Sequence, residues 1–276
     1  MRRPAEINVM LRAAHAAGRG LARDFGEVEN LQVSEKGPGD FVSVADRQAE
    51  RRIVEELSRA RPRYGFLLEE SGAVEGADTS NRWVVDPLDG TGNFLHGIPH
   101  FCISIALERD GEPVAALVYN PLTDDTYWAA RGIGAYANNR RLRVSARTRL
   151  AHCILASGEE VDGGAEARAR YLRQHAALKN AGASLRRLGA AALDLAWVAD
   201  GRLDGFWHSG LNRWDIAAGM LLVREAGGAV SDTDGSGTML ETGDILAAND
   251  RLHGPLLRLM ETAAGPAPVA PSGRAA

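Results

Sequence analysis

Residues 83–94, which read WVVDPLDGTGNF, constrain the fold more than any other stretch of the chain. An apolar run of strand length passes directly into Asp86 and Asp89. Pro87 fixes its own φ angle and keeps the preceding residue extended, which predicts a sharp turn at which the two carboxylates converge. Gly90 then allows the backbone to approach a ligand closely.

Two converging carboxylates repel each other unless a cation lies between them. A hard divalent cation would offset this repulsion, because Mg²⁺ prefers oxygen ligands and completes its coordination shell with water and substrate phosphate. The segment from Gly90 to Asn93 can present backbone N–H groups to an anion at the start of a helix. Carboxylates for a metal beside amides for a phosphate indicate phosphoryl chemistry.

Other acidic residues stand at the ends of further predicted elements. Glu69 and Glu70 follow an apolar run of strand length, and Asp215 precedes the longest strongly apolar stretch of the chain, residues 216–223. Each has an ordinary explanation when taken alone, since acidic residues after a strand usually face water and an aspartate before a helix usually caps it. Together with the pair in 83–94 they form a candidate site lined by oxygen.

Hydrophobic spacing predicts two helices followed by a mostly antiparallel sheet in the first half of the chain. Helical periodicity marks residues 7–25 and 49–57. Runs of strand length follow at residues 64–68, 82–85, 101–107, 114–119 and 126–130. The runs 101–107 and 114–119 are separated by a short turn sequence, which is typical of a β-hairpin.

The second half of the chain predicts alternating strands and helices. Strands are expected at residues 153–156, 184–188 and 205–208, and helices at 166–179, 190–199 and 215–226. We therefore expect one domain over residues 1–262, with an N-terminal part to about residue 145 and an α/β part from about residue 146. Residues 263–276 are almost devoid of large apolar side chains, which predicts a disordered tail.

Composition narrows the class of protein. The 276 residues contain 32 Lys and Arg against 36 Asp and Glu, a formal charge of −4, so we expect no direct binding of nucleic acid. Cys102 and Cys153 suit neither a disulfide framework nor a zinc module, which favours the cytoplasm. Charged residues interrupt any signal-peptide apolar region near the N-terminus, and no apolar stretch is long enough to span a membrane.

Four motifs, taken in order, resemble those of the inositol monophosphatase family, which are lithium-sensitive, Mg²⁺-dependent phosphatases. They are KGPGDFVSVAD at 36–46, LLEES at 67–71, WVVDPLDGTGNF at 83–94 and WDIAAGMLLVREAGG at 214–228. The resemblance covers nearly the whole globular part. It implies an α+β fold, a layered α-β-α-β-α sandwich with one mixed, largely antiparallel sheet and a second smaller sheet, usually assembled as a homodimer.

The resemblance also implies a set of metal ligands. Glu69, Asp86 and the backbone carbonyl of Leu88 resemble the ligands of a first Mg²⁺, and Asp86, Asp89 and Asp215 resemble those of a second. Such a metal pair activates a water molecule, orients the phosphate and neutralises charge on the leaving alkoxide. The resemblance therefore implies direct hydrolysis without a phosphoenzyme, with Glu69 counted among the catalytic residues.

Further catalytic roles follow from the same motifs. Asp46 and Thr91 resemble the pair that orients and deprotonates the attacking water. The amides of Gly90 and Thr91 are expected to hold phosphate oxygens. Lys36 lies on a mobile-looking loop that is expected to close over the metals, although an isolated loop lysine is usually solvated.

The substrate side departs from the family at one position. Residues 189–191 match the substrate-side turn, so Gly189, Ala190 and Ala191 join Asp89 and Asp215 as candidate substrate contacts. His208 stands where the inositol enzymes carry a glutamate that accepts hydrogen bonds from ring hydroxyls. A neutral imidazole offers one donor and one acceptor instead of two charged oxygens, which alters that contact. The alternative is that His208 only packs at a strand end.

These features predict a Mg²⁺-dependent phosphomonoesterase that hydrolyses a small polyol or sugar phosphate with a water molecule activated by two or three metal ions, with inositol 1-phosphate the first substrate to test. Alternative substrates are fructose 1,6-bisphosphate, histidinol phosphate and a 3′-phosphonucleotide. A second hypothesis belongs to another class, a non-catalytic protein that contacts transcription or RNA-processing machinery. The intact set of metal-ligand candidates favours the enzyme.

Overall fold

The computed structural model describes residues 3–27, 33–37, 40–158 and 163–265. The helices are α1 Ala5–Phe25, α2 Val44–Ala60, α3 Thr91–Leu95, α4 Gly164–Asn180, α5 Ala191–Ala199, α6 Arg213–Glu225, α7 Met239–Thr242 and α8 Asp250–Ala264. The strands of the first half are β1 Val33–Gly37, β2 Asp40–Ser43, β3 Tyr64–Leu68, β4 Gly72–Val74, β5 Asp78–Asp89, β6 Cys102–Arg109, β7 Glu112–Asn120, β8 Asp125–Ala130, β9 Gly134–Ala137 and β10 Arg140–Arg141. The strands of the second half are β11 Ile154–Ser157, β12 Ser184–Arg186, β13 Gly205–His208, β14 Gly228–Ser231 and β15 Ile245–Asn249.

The large sheet has eight strands in the order β10-β9-β8-β7-β6-β5-β3-β4. All neighbours are antiparallel except β3 and β5, which are parallel. Its two edges are short, since β10 consists of two exposed arginines and β4 of three residues. The predicted hairpin and the strand after it are β6, β7 and β8, so the mostly antiparallel sheet of the first half is confirmed.

Alternating residues of β5 divide the molecule into layers. Trp83 and Val85 are buried against the apolar faces of α1 and α2, as the helical periodicity of both segments predicted. Val84 points to the opposite face, where α5 and α6 form the central layer. The central layer is covered in turn by the five-stranded sheet, of order β12-β11-β13-β15-β14, and α4 and α8 cover the outer face of that sheet. The predicted α-β-α-β-α sandwich is therefore confirmed.

The region around Pro87 differs from the prediction. Strand β5 continues to Asp89 instead of ending in a sharp turn, and Asp86 and Asp89 pair with Ser104 and Cys102 of β6. Three steps along β5 thus face two steps along β6, which is a β-bulge. Because proline has no N–H to donate to the ladder, a bulge accommodates it without ending the strand.

Several elements of the structure were not predicted from the sequence. β14, β15 and α8 lie at the C-terminal end of the domain and complete the five-stranded sheet and its outer layer. Helix α8 ends at Ala264, two residues beyond the expected end of the domain at residue 262, and residues 266–276 lie outside the described part of the chain. The segment around Lys36, expected as a loop, forms strands β1 and β2, which pair antiparallel. Among the described residues no helix is long and apolar enough to cross a membrane.

Candidate active site

Asp86 lies at the bulge of β5 and is only 2% exposed. Its Oδ1 accepts a hydrogen bond of 2.9 Å from the backbone N–H of Leu88. Burial raises the pKa of Asp86 well above its ordinary value, and the negative charges of Glu69, Asp89 and Asp215 raise it further. The structure therefore gathers four carboxylates, Asp86 and these three, from three separate segments of the chain.

Asp89 also binds the start of helix α5. Its Oδ1 accepts from the N–H of Ala191 at 3.1 Å, and its Oδ2 accepts from that of Ala192 at 2.7 Å. Residue Ala190 occupies the N-cap position of α5 and has no side-chain acceptor, so Asp89 caps the helix from a distant part of the sequence. Burial raises the pKa of Asp89 to about 6 although these amide donors oppose the shift.

Thr91 and Asp46 are in hydrogen-bond contact, as expected for residues with a joint role. The Thr91 Oγ1 atom lies 3.0 Å from Asp46 Oδ1 and 3.0 Å from the carbonyl oxygen of Leu88. Gly90 precedes Thr91 with a φ of 91°, the left-handed region that favours glycine, and helix α3 begins immediately after it. The hydroxyl of Thr91 thus connects the start of α2 with the bulge of β5.

Glu50 is a site residue that the sequence did not reveal. It is 2% exposed, and its Oε2 accepts from the backbone N–H of Glu70 at 2.9 Å while its Oε1 accepts from the Ser71 hydroxyl at 2.5 Å. Glu50 follows Asp46 by four residues, so helix α2 presents both carboxylates on one face. This four-residue spacing was the sequence signal that could have indicated Glu50. In the structure, Glu50 lies directly behind the segment that carries Glu69.

The substrate-side turn lies against the DGT segment. A Cβ atom added to Gly90 would lie 3.1 Å from the Cβ of Ala190 and 3.3 Å from the carbonyl oxygen of Gly189. Asn93, which sequence reasoning did not single out, donates from Nδ2 to the carbonyl oxygens of His100 at 2.7 Å and Leu188 at 2.8 Å. The predicted turn residues 189–191 are therefore brought beside Asp89 and Gly90.

Asp215 lies in the first turn of α6. Its Oδ2 accepts from the N–H of Asn212 at 2.7 Å, and Asn212 is the N-cap in a reciprocal capping box. The ordinary explanation that Asp215 is itself the N-cap is therefore wrong, because Asp215 occupies the third helical position. The neighbouring Trp214 carbonyl accepts from the Ser104 hydroxyl at 3.2 Å, which fixes this turn against strand β6.

His208 ends strand β13 and contacts a different segment. Its Nδ1 lies 2.8 Å from the carbonyl oxygen of Ser209, which requires a proton on that nitrogen and leaves Nε2 as an acceptor. Gly158 lies against the ring, since a Cβ there would clash with Cδ2 and Nε2. Burial lowers the pKa of His208, and the charge of Arg187 lowers it further, so the imidazole is neutral near pH 7.

The donor chemistry of the cluster fits a hard divalent cation. In the described ranges no three His, Cys, Asp or Glu side chains are arranged as a ready-made metal site. Carboxylates without a counter-ion repel, and here Asp89 and Asp215 direct oxygens to backbone N–H groups instead of toward each other. A cation with oxygen preference would relieve the repulsion that raises the pKa of Asp86. The side chain of Lys36 lies outside the described part of the structure.

The layered sandwich and the oxygen-lined cluster at a strand end form a candidate hydrolytic site. The family model described as "Inositol monophosphatase family" matches residues 5–264, nearly the whole chain. The chain belongs to the inositol monophosphatase family, and with it to the hydrolases of phosphoric monoesters.

Individual relatives agree with this assignment. An inositol-1-monophosphatase from Mesorhizobium japonicum is 56% identical over 95% of this chain and 98% of its own length. A protein named Nus factor SuhB from Pseudomonas aeruginosa is 44% identical over 92% of this chain and 95% of its own length. The crystal structure of extragenic suppressor protein suhB from Bartonella henselae superposes with a TM-score of 0.91 at 52% identity, covering 94% of this chain and 99% of that one.

Proposed function

We propose that this protein is a Mg²⁺-dependent phosphomonoesterase that hydrolyses a small polyol or sugar phosphate, most readily inositol 1-phosphate. The observation that carries the proposal is the burial of Asp86 among the carboxylates of Glu69, Asp89 and Asp215. Such an arrangement is costly without a cation and suits one that prefers oxygen. The name of the Mesorhizobium relative supports inositol 1-phosphate as the first substrate.

Residues at and around the bulge of β5 would hold two metal ions. Glu69, Asp86 and the carbonyl of Leu88 would bind one, and Asp86, Asp89 and Asp215 the other. A carboxylate has about four lone-pair positions, so Asp89 can accept hydrogen bonds from the backbone of α5 and bind a metal ion at the same time. Bound Mg²⁺ supplies Lewis-acid stabilisation of developing charge and lowers the pKa of a bound water molecule.

The remaining roles fall to residues of this chain around that centre. Asp46, through its contact with Thr91, would orient the attacking water and accept its proton. The N–H groups of Gly90 and Thr91 would hold phosphate oxygens. Asp89, Asp215 and the turn Gly189–Ala190–Ala191 would line the alcohol side of the substrate, and Lys36 would close over the metals from the β1–β2 hairpin.

Phosphate release from inositol, sugar and nucleotide monophosphates, with and without Mg²⁺, tests the proposal. Asp89→Asn removes a charged ligand and is expected to lower turnover about 10³-fold. Asp200→Asn is the matched control, because Asp200 is also buried but lies at the opposite end of α5. Turnover of Asp89→Asn close to that of wild type would reject the site assignment.

Substrate choice is proposed to depend on His208. The neutral ring presents Nε2 as its only acceptor, whereas a glutamate would present two charged oxygens to ring hydroxyls. His208→Glu is therefore expected to raise kcat/KM for inositol 1-phosphate, and His208→Gln serves as the neutral control. Fructose 1,6-bisphosphate, histidinol phosphate and 3′-phosphonucleotides complete the panel. Equal effects of both variants on every substrate would show that the side chain at position 208 does not contact the ring hydroxyls of inositol.

A second candidate function is suggested by the relatives named Nus factor SuhB. Under it, the protein acts by contacting transcription or RNA-processing machinery and needs no turnover. Complementation of a deletion strain by Asp89→Asn would favour this binding role, whereas failure of that variant and success of Asp200→Asn would favour catalysis. We further propose that the protein is a cytoplasmic homodimer, which light scattering and cell fractionation test.

A further inference from the structure

An ion triad centred on a buried glutamate joins two of the elements that carry candidate metal ligands, β5 and α6. Glu108, at the end of β6, is 1% exposed. Its Oε2 accepts from Arg82 of β5, with 2.7 Å to Nη2 and 3.2 Å to Nε. Its Oε1 accepts from Nε of Arg213, the first residue of α6, at 2.6 Å. One carboxylate therefore bridges the strand of Asp86 and the helix of Asp215.

Arg213 makes further contacts that fix its own position. Its Nη2 donates to the carbonyl oxygen of Gly111 at 2.5 Å, and its Nη1 donates to that of Leu240 at 3.4 Å. The planar guanidinium thus holds strand β6, the β6–β7 turn and helix α7 with donors of fixed geometry. Asp215 follows two residues later, in the same helical turn.

The triad is not explained by stability alone. A buried ion pair loses much of its Coulombic attraction to desolvation, and well-packed apolar residues often replace it without loss of stability. What such a group can supply is a unique register between the elements that it joins. Here the joined elements are those whose carboxylates must face one another.

We propose that Glu108 is a positioning residue for the metal site: with Arg82 and Arg213 it fixes α6 against β5 so that Asp215 faces Asp86. The inference rests on the proposed function, since it concerns the ligands of that site. Loss of the Glu108 charge leaves two arginines without their shared partner and releases the start of α6. The cluster then binds Mg²⁺ less tightly while its ligands are all still present.

The experiment compares Mg²⁺ binding to the whole protein by isothermal titration calorimetry, well below the melting temperature of each variant. Glu108→Gln is expected to raise the Kd for Mg²⁺ about tenfold, as loss of supporting contacts does at other metal sites. Asp200→Asn is the matched control, because the buried Asp200 side chain likewise pairs with two arginines, the exposed Arg140 and Arg202, at the far end of α5. The control is expected to keep the wild-type Kd within about twofold, whatever its melting temperature.

Two further measurements separate positioning from folding. Raising the Mg²⁺ concentration should restore the kcat of Glu108→Gln, whereas a damaged fold would not respond. If Glu108→Gln does not fold, Arg213→Lys replaces it, since lysine keeps the charge and loses the forked contacts to Gly111 and Leu240. Binding of Mg²⁺ to Glu108→Gln, or to Arg213→Lys in its place, as tight as to wild type overturns the inference alone. Failure of wild type itself to bind Mg²⁺ overturns the proposed function together with it.

Discussion

The hydroxyl of Thr91 has one proton and two acceptors at equal distance. It stands 3.0 Å from the Asp46 carboxylate and 3.0 Å from the Leu88 carbonyl, so it donates to only one of them at a time. Donation to Asp46 orients that carboxylate and leaves its other lone pairs able to accept further hydrogen bonds, whereas donation to Leu88 directs the proton to the bulge of β5. The hydroxyl therefore links the orientation of the Asp46 side chain to the bulge of β5.

Removal of this hydroxyl is expected to reduce turnover. Thr91→Ala should lower kcat about 10²-fold or more, because the proposed general base loses the group that orients it. Thr91→Ser keeps the hydroxyl and should retain most of the activity. Steady-state kinetics at saturating Mg²⁺ measure both variants, and similar losses in Thr91→Ala and Thr91→Ser would contradict the role assigned to the hydroxyl.

Individual side chains were predictable where a motif fixes both their type and their neighbours. The juxtaposition of Asp46 with Thr91 is in this group, since both belong to quoted motifs. The capping of α5 by Asp89 was not predictable, because Ala190 and Asp89 are far apart in sequence and only the folded layers bring them together. The contact between Glu108 and Arg213 was not predicted either, because these two residues are also far apart in sequence.

At the scale of elements, helix α2 does more than cover the large sheet. Its buried face carries Ala49, Ile53 and Leu57, and the same face carries the carboxylates of Asp46 and Glu50 into the site. A helix that buries two acidic side chains must bring their oxygens within hydrogen-bonding distance of donor groups. Glu50 meets this condition through the backbone of Glu70 and the hydroxyl of Ser71.

Glu50→Ala is expected to destabilise the protein by about 2–4 kcal/mol, since it leaves the Glu70 N–H and the Ser71 hydroxyl without their acceptor and opens a cavity. Glu55→Ala, at an exposed position of the same helix, should change stability by less than about 0.5 kcal/mol. Equilibrium unfolding in urea measures both. A Glu50 variant as stable as the Glu55 variant would show that these hydrogen bonds contribute little.

Helices α5 and α6 approach each other closely at one glycine. A Cβ atom added to Gly219 would lie 2.5 Å from the Cβ of Leu195, closer than packed atoms allow. Gly219→Ala is therefore expected to cost about 1–3 kcal/mol, because the two helices must separate.

The matched control for this close contact is Gly20→Ala in α1, where no atom lies within 4 Å of the added Cβ. It should stabilise the protein by about 0.5–1 kcal/mol through helix propensity. Thermal unfolding compares the two substitutions. Equal effects would mean that the contact between α5 and α6 relaxes freely.

At the scale of the whole molecule, the spacing of apolar residues predicted most of the helices and strands, and the resemblance supplied their layered arrangement. What escaped prediction was the completion of the smaller sheet by β14 and β15 and its cover by α8. β14 reads GAVS and β15 reads ILAAN, so both are short and rich in small residues, and β14 begins at the second glycine of a pair that marks a helix end. Short runs of this kind become strands through burial against α6 and α8, which local sequence does not show.

Binding of Mg²⁺ is expected to stabilise the molecule as a whole. A ligand present at about 100 times its Kd adds about 2.7 kcal/mol to the free energy of unfolding, which corresponds to about 5 °C or more in Tm for a chain of this size. Thermal scans in EDTA and in MgCl₂ measure the difference, with NaCl at matched ionic strength as control. Asp89→Asn should reduce the Mg²⁺-dependent shift, and an equal shift in NaCl would show a general salt effect.

The two-residue strand β10 closes one side of the eight-stranded sheet with Arg140 and Arg141, both exposed to solvent. A second molecule that paired with this edge would meet two arginines over a stretch of only two residues, which is too short for cooperative pairing. Edge-to-edge association of two molecules through β10 is therefore disfavoured.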